Sequence, residues 1–316
     1  MSEKQRIDEA TGTSTVGHEW DGIEELNTPL PRWWLLTFYA CVIWGLAYTV
    51  MYPAWPMLSS ATAGVTGWSS RADLAKEMKA EADRRAPILA AIAAKPVDQI
   101  PGDEKLYATA VEGGRAAFKV HCVQCHGSGA AGSKGYPNLN DDDWLWGGDM
   151  AAIHQTITHG IRAPEHAETR MSQMPAFGGM FKPAELNSVV AYVQSLSGSR
   201  KADALSAAGA PLFAANCVQC HGVDGKGVRA MGGPNLTDKI WLYGGDEASI
   251  RQTITKSRYG VMPNWNQKLD ATTIKMLASY VHSLGGGEAT PEAGAAAAAV
   301  APAATPAAEA SATNVK

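Results

Sequence analysis

The chain has 316 residues, enough for two ordinary domains or several small ones. Hydrophobic residues make up 46% and charged residues 18%, a balance that builds packed cores and excludes a disordered chain. A formal net charge of −4 leaves no basic footprint for nucleic acid, so no nucleic-acid partner is expected.

Residues 1–31 form an acidic segment, with Asp8, Glu9, Glu19, Asp21, Glu24 and Glu25 and no strand-like alternation. Between Arg32 and Arg71 no charged side chain occurs, and Trp33 to Tyr52 is an unbroken apolar and aromatic run. As a helix such a run covers about 30 Å, the hydrocarbon thickness of a bilayer. Trp33 and Trp34 stand at one end and Tyr48, Tyr52 and Trp55 at the other, as an interfacial belt requires. The acidic residues ahead of the run do not suit a cleaved leader, so 32–56 is expected to be a retained transmembrane helix in a lipid bilayer. Cys41 inside it reads as a small packing residue. Only Arg32 and Arg71 flank the run, and charge alone does not orient it. Residues 57–104 read as a linker with an exposed or partner-packed helix over 71–95.

The rest of the chain repeats itself. Gly114-x3-Phe118-x3-Cys122-Val-Gln-Cys125-His126-Gly127 matches Gly209-x3-Phe213-x3-Cys217-Val-Gln-Cys220-His221-Gly222. Pro137-Asn-Leu matches Pro234-Asn-Leu, Trp144-Leu-Trp-Gly-Gly-Asp149 matches Trp241-Leu-Tyr-Gly-Gly-Asp246, and Met174-Pro matches Met262-Pro. The offset is 97 residues at the Thr-Ile-Thr element and 88 from Met-Pro onward, which leaves nine extra residues before the first methionine. Two tandem helical domains are expected, at 105–199 and 203–286, followed by an Ala/Pro-rich flexible tail at 287–316. Each domain should close with an amphipathic helix, through Leu186, Val189, Val190 and Val193 in one and Ile274, Leu277 and Val281 in the other. Gly114 and Gly209 suit the close approach of a second helix. The expected fold class is all-α, with one N-terminal membrane helix and two tandem domains whose Cys-x-x-Cys-His and Met-Pro elements resemble those of class I cytochrome c domains.

Cys-x-x-Cys-His is the sequence cue for covalent haem c. Cys122, Cys125, Cys217 and Cys220 would form thioethers with the vinyl groups, and His126 and His221 would meet the iron. A redox disulfide would want a thioredoxin-like βαβ context, and a structural zinc site a second ligand pair in each domain; neither is present. Two covalently bound haem c groups follow. Met174 and Met262 recur at matching places, each held extended by the following proline, and are expected as the other axial ligands. Whether each serves its own repeat or the other is open; the own-repeat arrangement is the default. Met171, Met180 and Met231 read as filler, and His154, His159 and His166 lack counterparts in the second copy. The run Asp141-Asp142-Asp143 reads as a solvated loop. With both iron faces closed, no residue is assigned a catalytic role.

The segment His18-Glu-Trp-Asp-Gly-Ile-Glu-Glu-Leu-Asn-Thr-Pro-Leu-Pro-Arg-Trp-Trp34, one span, and Tyr52-Pro-Ala-Trp-Pro56 resemble the start of the FixP/CcoP family, dihaem subunits of cbb3-type cytochrome c oxidase. The resemblance implies an electron-transfer role and three protein partners: a catalytic haem-copper oxidase subunit, a monohaem cytochrome c subunit and a donor cytochrome c. It implies the same thioether and axial residues as above. Haem attachment outside the bacterial inner membrane places the N-terminus in the cytoplasm and the haem domains in the periplasm. The competing expectations are a dihaem subunit of a membrane dehydrogenase or nitric oxide reductase, or a dihaem peroxidase.

Overall fold

The structure, a computed structural model, describes residues 6–289, so most of the expected tail lies outside the described residues. The chain divides after Arg84 into two compact units.

In the N-terminal unit the acidic segment is not strandless. Thr15–Trp20 (β1) and Ile23–Leu26 (β2) pair antiparallel, with Trp20 opposite Ile23. The turn between them is Asp21-Gly22, at φ of 51° and 86°. Two positive φ values in a two-residue loop match the twist of the flanking strands, which is why Asp-Gly is a hairpin signal. Helix α1 spans Arg32–Met51 and buries none of its side chains within the protein. The Thr37 hydroxyl donates to the Trp33 carbonyl (2.9 Å) and that of Thr49 to Leu46 (2.9 Å), so neither hydroxyl needs water. Cys41 is exposed on this helix. Beyond Met51 the chain turns back, and the Val65 N–H and Thr66 hydroxyl donate to the Val50 and Met51 carbonyls (3.0 and 2.6 Å), capping α1.

Helix α2, Ser70–Ala94, agrees with the expected linker helix and carries Pro87 inside it. Its part from Arg85 onward belongs to the second unit. Ile92 is fully buried with Ile100 and Ala110, and the Lys275 ammonium donates to the Ala93 and Lys95 carbonyls at 2.7 Å. A lysine on the final carbonyls satisfies orphan acceptors and complements the helix dipole.

The second unit also holds α3 (Glu104–His121), α4 (Val123–His126), α5 (Met150–His159), α6 (Pro183–Leu196), α7 (Ala204–Asn216), α8 (Val218–His221), α9 (Glu247–Lys256) and α10 (Ala271–His282). They form two lobes, but the lobes are not the two repeats. The first lobe gathers α3, α4 and α5 around Phe118, Met150, Ile153 and Ile157, and is closed by α10 through Ile274, Leu277 and Val281. The second gathers α7, α8 and α9 around Phe213, Ile250 and Ile254, and is closed by α6 through Val189, Val190 and Val193. Each repeat therefore lends its Met-Pro segment and last helix to the other, which replaces the expected default of self-contained repeats at 105–199 and 203–286.

The physical reason lies in chain length. Only residues 197–203 separate α6 from α7, so these two meet as a helical hairpin whose loop closure is inexpensive. The contacts at the two helix crossings correspond. A Cβ at Gly209 would strike the Ser188 carbonyl and approach Tyr192 Cβ to 2.8 Å; one at Gly114 would strike the Met276 carbonyl and approach Tyr280 Cβ to 2.7 Å. The two crossover strands run side by side, with the Ile161 N–H donating to Met262 and the Met262 N–H to Ile161, both at 2.9 Å.

The tail begins later than residue 287. The Glu288 N–H donates to the Gly148 carbonyl (2.9 Å), its carboxylate accepts from the Gly148 N–H (2.7 Å), and it pairs with Arg229. Met171 and Met180 are mostly exposed and are not core filler.

Candidate functional site

Each Cys-x-x-Cys-His motif is one short helical turn, α4 or α8, following directly on a long helix. In both, the cysteine that ends the long helix has αR geometry, with φ of −112° and −117° at Cys122 and Cys217. The glycine after the histidine stops the turn at φ 77° in each copy, a conformation that side chains resist. One turn thus carries two thiols and an imidazole on a fixed frame.

The imidazoles are oriented alike. Nδ1 of His126 lies 3.2 Å from the Pro137 carbonyl, and Nδ1 of His221 lies 3.1 Å from the Pro234 carbonyl. A carbonyl can only accept, so Nδ1 carries the proton and Nε2 keeps its lone pair free, the arrangement a metal-ligating histidine needs. Phe118 and Phe213 sit behind the two rings, each 6.4 Å between centroids. Burial, opposed only by the carbonyl bond, lowers the pKa of both imidazoles and keeps them neutral. Burial also pushes the Cys122 and Cys217 thiols up to about 11, with the neighbouring cysteine adding to it. Such thiols are poor thiolates, which argues against a redox-active pair.

The methionines follow the lobe exchange. Met262 packs in the first lobe with Phe118, Cys122 and Trp144; Met174 packs in the second with Phe213, Cys217 and Trp241. A cavity of about 580 Å³ is lined by Cys217, Cys220, His221, Met174, Phe177 and Ile254 in the second lobe and extends to Pro137 and Asp143 of the first. That size is within the range of cofactor sites. The Ser257 hydroxyl donates to the Met174 carbonyl, and the Phe177 N–H donates to Ile254 (2.9 Å), pinning the Met174 segment to the end of α9.

The rest of the repeated motif has structural duties. Trp144 and Trp241 lie flat against Gly148 and Gly245, and a Cβ on either glycine would collide with the indole. Asp149 caps α5 through the Ala151 and Ala152 N–H groups (3.0 Å each), and Asp246 caps α9 through Ser249 (2.9 Å).

Sequence reasoning passed over four residues at the junction of the lobes. Trp146 lies against Gly232, and its counterpart Tyr243 lies 3.3 Å from where a Cβ of Gly135 would be. Arg170 stacks on Trp146 (5.3 Å) and Arg258 on Tyr243 (4.7 Å). The arginines also match in their hydrogen bonds: Arg170 donates to the Trp146 and Ala152 carbonyls and Gln155, Arg258 to the Tyr243 and Ser249 carbonyls and Gln252. Arg170 and Arg258 each stand four residues before their methionine, a detectable signal. It also moves the nine-residue insertion back to lie between His159 and Arg170. Among the described residues the Trp146 indole N–H and the Arg170 Nε–H are buried without a partner, as donors waiting for an acidic group would be.

The acidic run is less solvated than expected. Asp142 is exposed, but Asp141 and Asp143 are half-buried. Burial, then the charges of Asp238, Asp141 and Asp142, push the Asp143 carboxyl up to about 6 against the opposing pull of Arg229.

Comparison with known proteins agrees with both parts of the chain. Residues 12–59 match the N-terminal domain of cytochrome oxidase-cbb3, FixP, and residues 109–193 and 204–281 match cytochrome c oxidase, cbb3-type, subunit III. A cbb3-type cytochrome c oxidase subunit CcoP of Cereibacter sphaeroides is 52% identical over 87% of this chain and 95% of its own length. Subunits FixP of a Bradyrhizobium species and of Azorhizobium caulinodans are 52% and 53% identical, over 91% and 89% of this chain and 100% and 96% of theirs.

Proposed function

Because the chain belongs to the FixP/CcoP family of cbb3-type cytochrome c oxidase subunits, we propose that it carries two covalent haem c groups with exchanged methionine ligands and relays electrons between them. Cytochrome c domains fit an electron-relay subunit of the oxidase, and membership of that complex implies other oxidase subunits. Bound haem c supplies reversible one-electron chemistry.

The chain's own groups do the positioning. Cys122 and Cys125 hold the first ring and Cys217 and Cys220 the second, through thioethers. His126 and His221 present Nε2 to iron, aimed by the Pro137 and Pro234 carbonyls. Met262 would complete the iron site of His126, and Met174 that of His221. Histidine and methionine together leave no open coordination position and raise the reduction potential, which favours relay over peroxide or nitrite chemistry. Trp146 and Arg170 offer their unpartnered donors to propionate. The single observation that carries this reading is the pair of Nδ1-tethered imidazoles, His221 buried and His126 half-buried, each with a methionine segment of the other repeat packed against the same core.

The finer assignment follows the family: a donor cytochrome c delivers electrons, and a monohaem cytochrome c subunit takes them toward the catalytic haem-copper subunit. The unburied apolar α1 anchors the chain in the bacterial inner membrane, N-terminus inward and haem lobes in the periplasm. The relatives' names favour the oxidase over a dehydrogenase or nitric oxide reductase.

The test uses single-haem variants. In Cys122→Ala/Cys125→Ala protein, Met174→Leu should abolish the near-infrared methionine–iron band and Met262→Leu should leave it. The reverse outcome would restore own-repeat ligation. A pyridine haemochrome assay on the intact chain should return two thioether-linked haems.

A further inference from the structure

The nine-residue insertion in the first repeat is not idle connecting chain. It is an ordered loop: the Arg162 N–H donates to the Arg170 carbonyl (2.9 Å), the Ala163 N–H to the Thr169 hydroxyl (3.0 Å) and the Thr169 N–H to the His166 carbonyl (3.2 Å). What it brings to the protein is His166 and Glu168, and it delivers both to His159, the last residue of α5.

Nδ1 of His159 lies 2.9 Å from Nε2 of His166 and 3.1 Å from Oε2 of Glu168, and the second histidine lies 4.0 Å from the same carboxylate oxygen. All three ligand atoms fall within 4.8 Å of one another. The two imidazoles are largely covered, at 24% and 13% exposure, while the carboxylate stands at the mouth at 72%. None of the three has a counterpart in the second repeat, where Lys256 ends the matching helix α9. The haem framework, which both repeats share, therefore does not account for them.

We propose that His159, His166 and Glu168 form a binding site for one divalent transition-metal ion of the zinc or copper class. Two imidazoles and one carboxylate are the donor set of many three-ligand zinc centres that leave the fourth position to water. Bonds of about 2.0–2.2 Å in tetrahedral geometry place ligand atoms roughly 3.3–3.5 Å apart. The observed separations bracket that spacing, so small side-chain rotations suffice. Calcium and magnesium, which demand oxygen ligands, do not fit.

The position gives the site a mechanical role. His159 is followed by Gly160, whose hypothetical Cβ would strike the Met262 carbonyl, and by Ile161, which exchanges two hydrogen bonds with Met262. An ion joining the end of α5 to the insertion clamps the crossover on which the Met262 segment rests. It binds the folded arrangement only, and so stabilises it.

The experiment uses the intact haem-loaded chain in detergent, stripped with a chelator and equilibrated by dialysis against micromolar Zn²⁺, with bound zinc measured by mass spectrometry. One zinc per chain is expected, with X-ray absorption showing two imidazoles in its ligand shell. His166→Gln and Glu168→Gln should each weaken binding at least about tenfold, while His154→Gln, outside the cluster on the same helix, should not. Glu168 is exposed, so its variant tests the site even where the histidine variant misfolds. No retained zinc, or wild-type binding in the Glu168→Gln chain, would overturn the proposal.

Discussion

Replacing Phe177 by alanine separates the exchanged arrangement from a self-contained one. Phe177 stands three residues after Met174, is 4% exposed, and packs in the second-lobe core with Phe213, Ile250 and Ile254. Its ring also stacks on Phe181 at 5.3 Å. Truncating a buried phenylalanine costs about 3–5 kcal/mol, part of it as an uncollapsed void. Its neighbours here come from α9, α7 and α6, so partial collapse is expected and the lower figure, about 3 kcal/mol, is appropriate. Confined to the 174–181 segment, that loss shifts its docked-to-open ratio roughly a hundredfold. Denaturant unfolding followed by circular dichroism reads the global part. The methionine–iron band of the oxidised protein reads the local part, in the variant that keeps only the haem at Cys217 and Cys220. That band should fade at lower denaturant than the helical signal. Fading instead of the band in the counterpart variant that keeps only the haem at Cys122 and Cys125, or a global loss below about 1 kcal/mol, would refute the exchanged core.

Three further outcomes follow from the same packing. Gly114→Ala and Gly209→Ala each force a methyl group onto a backbone carbonyl of the crossing helix, and should lower stability by about 1–3 kcal/mol in thermal melts. Arg258→Lys keeps the charge but loses the fork that reaches Ser249 and Tyr243 and the stacking on the Tyr243 ring; a loss of roughly 1–2 kcal/mol should appear in the same assay. Asp143, raised to about 6 from 3.8, binds more protons folded than unfolded between those values, so its contribution to stability falls as pH rises through that window. Half exposure discounts the effect to about 1 kcal/mol. Asp143→Asn should therefore flatten the stability–pH slope between about pH 4 and 6 and melt higher than the parent at pH 7.

The two Cys-x-x-Cys-His turns were legible because a repeated motif of fixed spacing stands out in sequence, and the glycines because a close helix crossing tolerates nothing larger. The exchange was not. Gly114 and Gly209 face tyrosines at equivalent places, Tyr280 and Tyr192, so a duplicated sequence offers each glycine two equally good partners. The short 197–203 connection was the discriminating feature, and it acts through loop closure, which leaves no residue signature. The Pro137 and Pro234 carbonyls were visible as a repeat, yet their function lies in a backbone oxygen that no side chain announces. Arg170 and Arg258 were hidden by the insertion beside one of them. The Asp21-Gly22 hairpin was overlooked because its strands are exposed on both faces and lack alternation. Glu288 resembled the tail that follows it, and only its three hydrogen-bonding partners distinguish it.

The lobe exchange also sets an order of events at the ribosome. On the proposed ligand set, Met174 has been made before Cys217, so the second centre can be sealed as soon as its ring is attached. The first waits until residue 262 has emerged, with Cys122 and His126 long since in place. The residues proposed for the first centre run from Cys122 to Met262 and enclose those proposed for the second, so the half of the protein that is begun first is the half that is finished last.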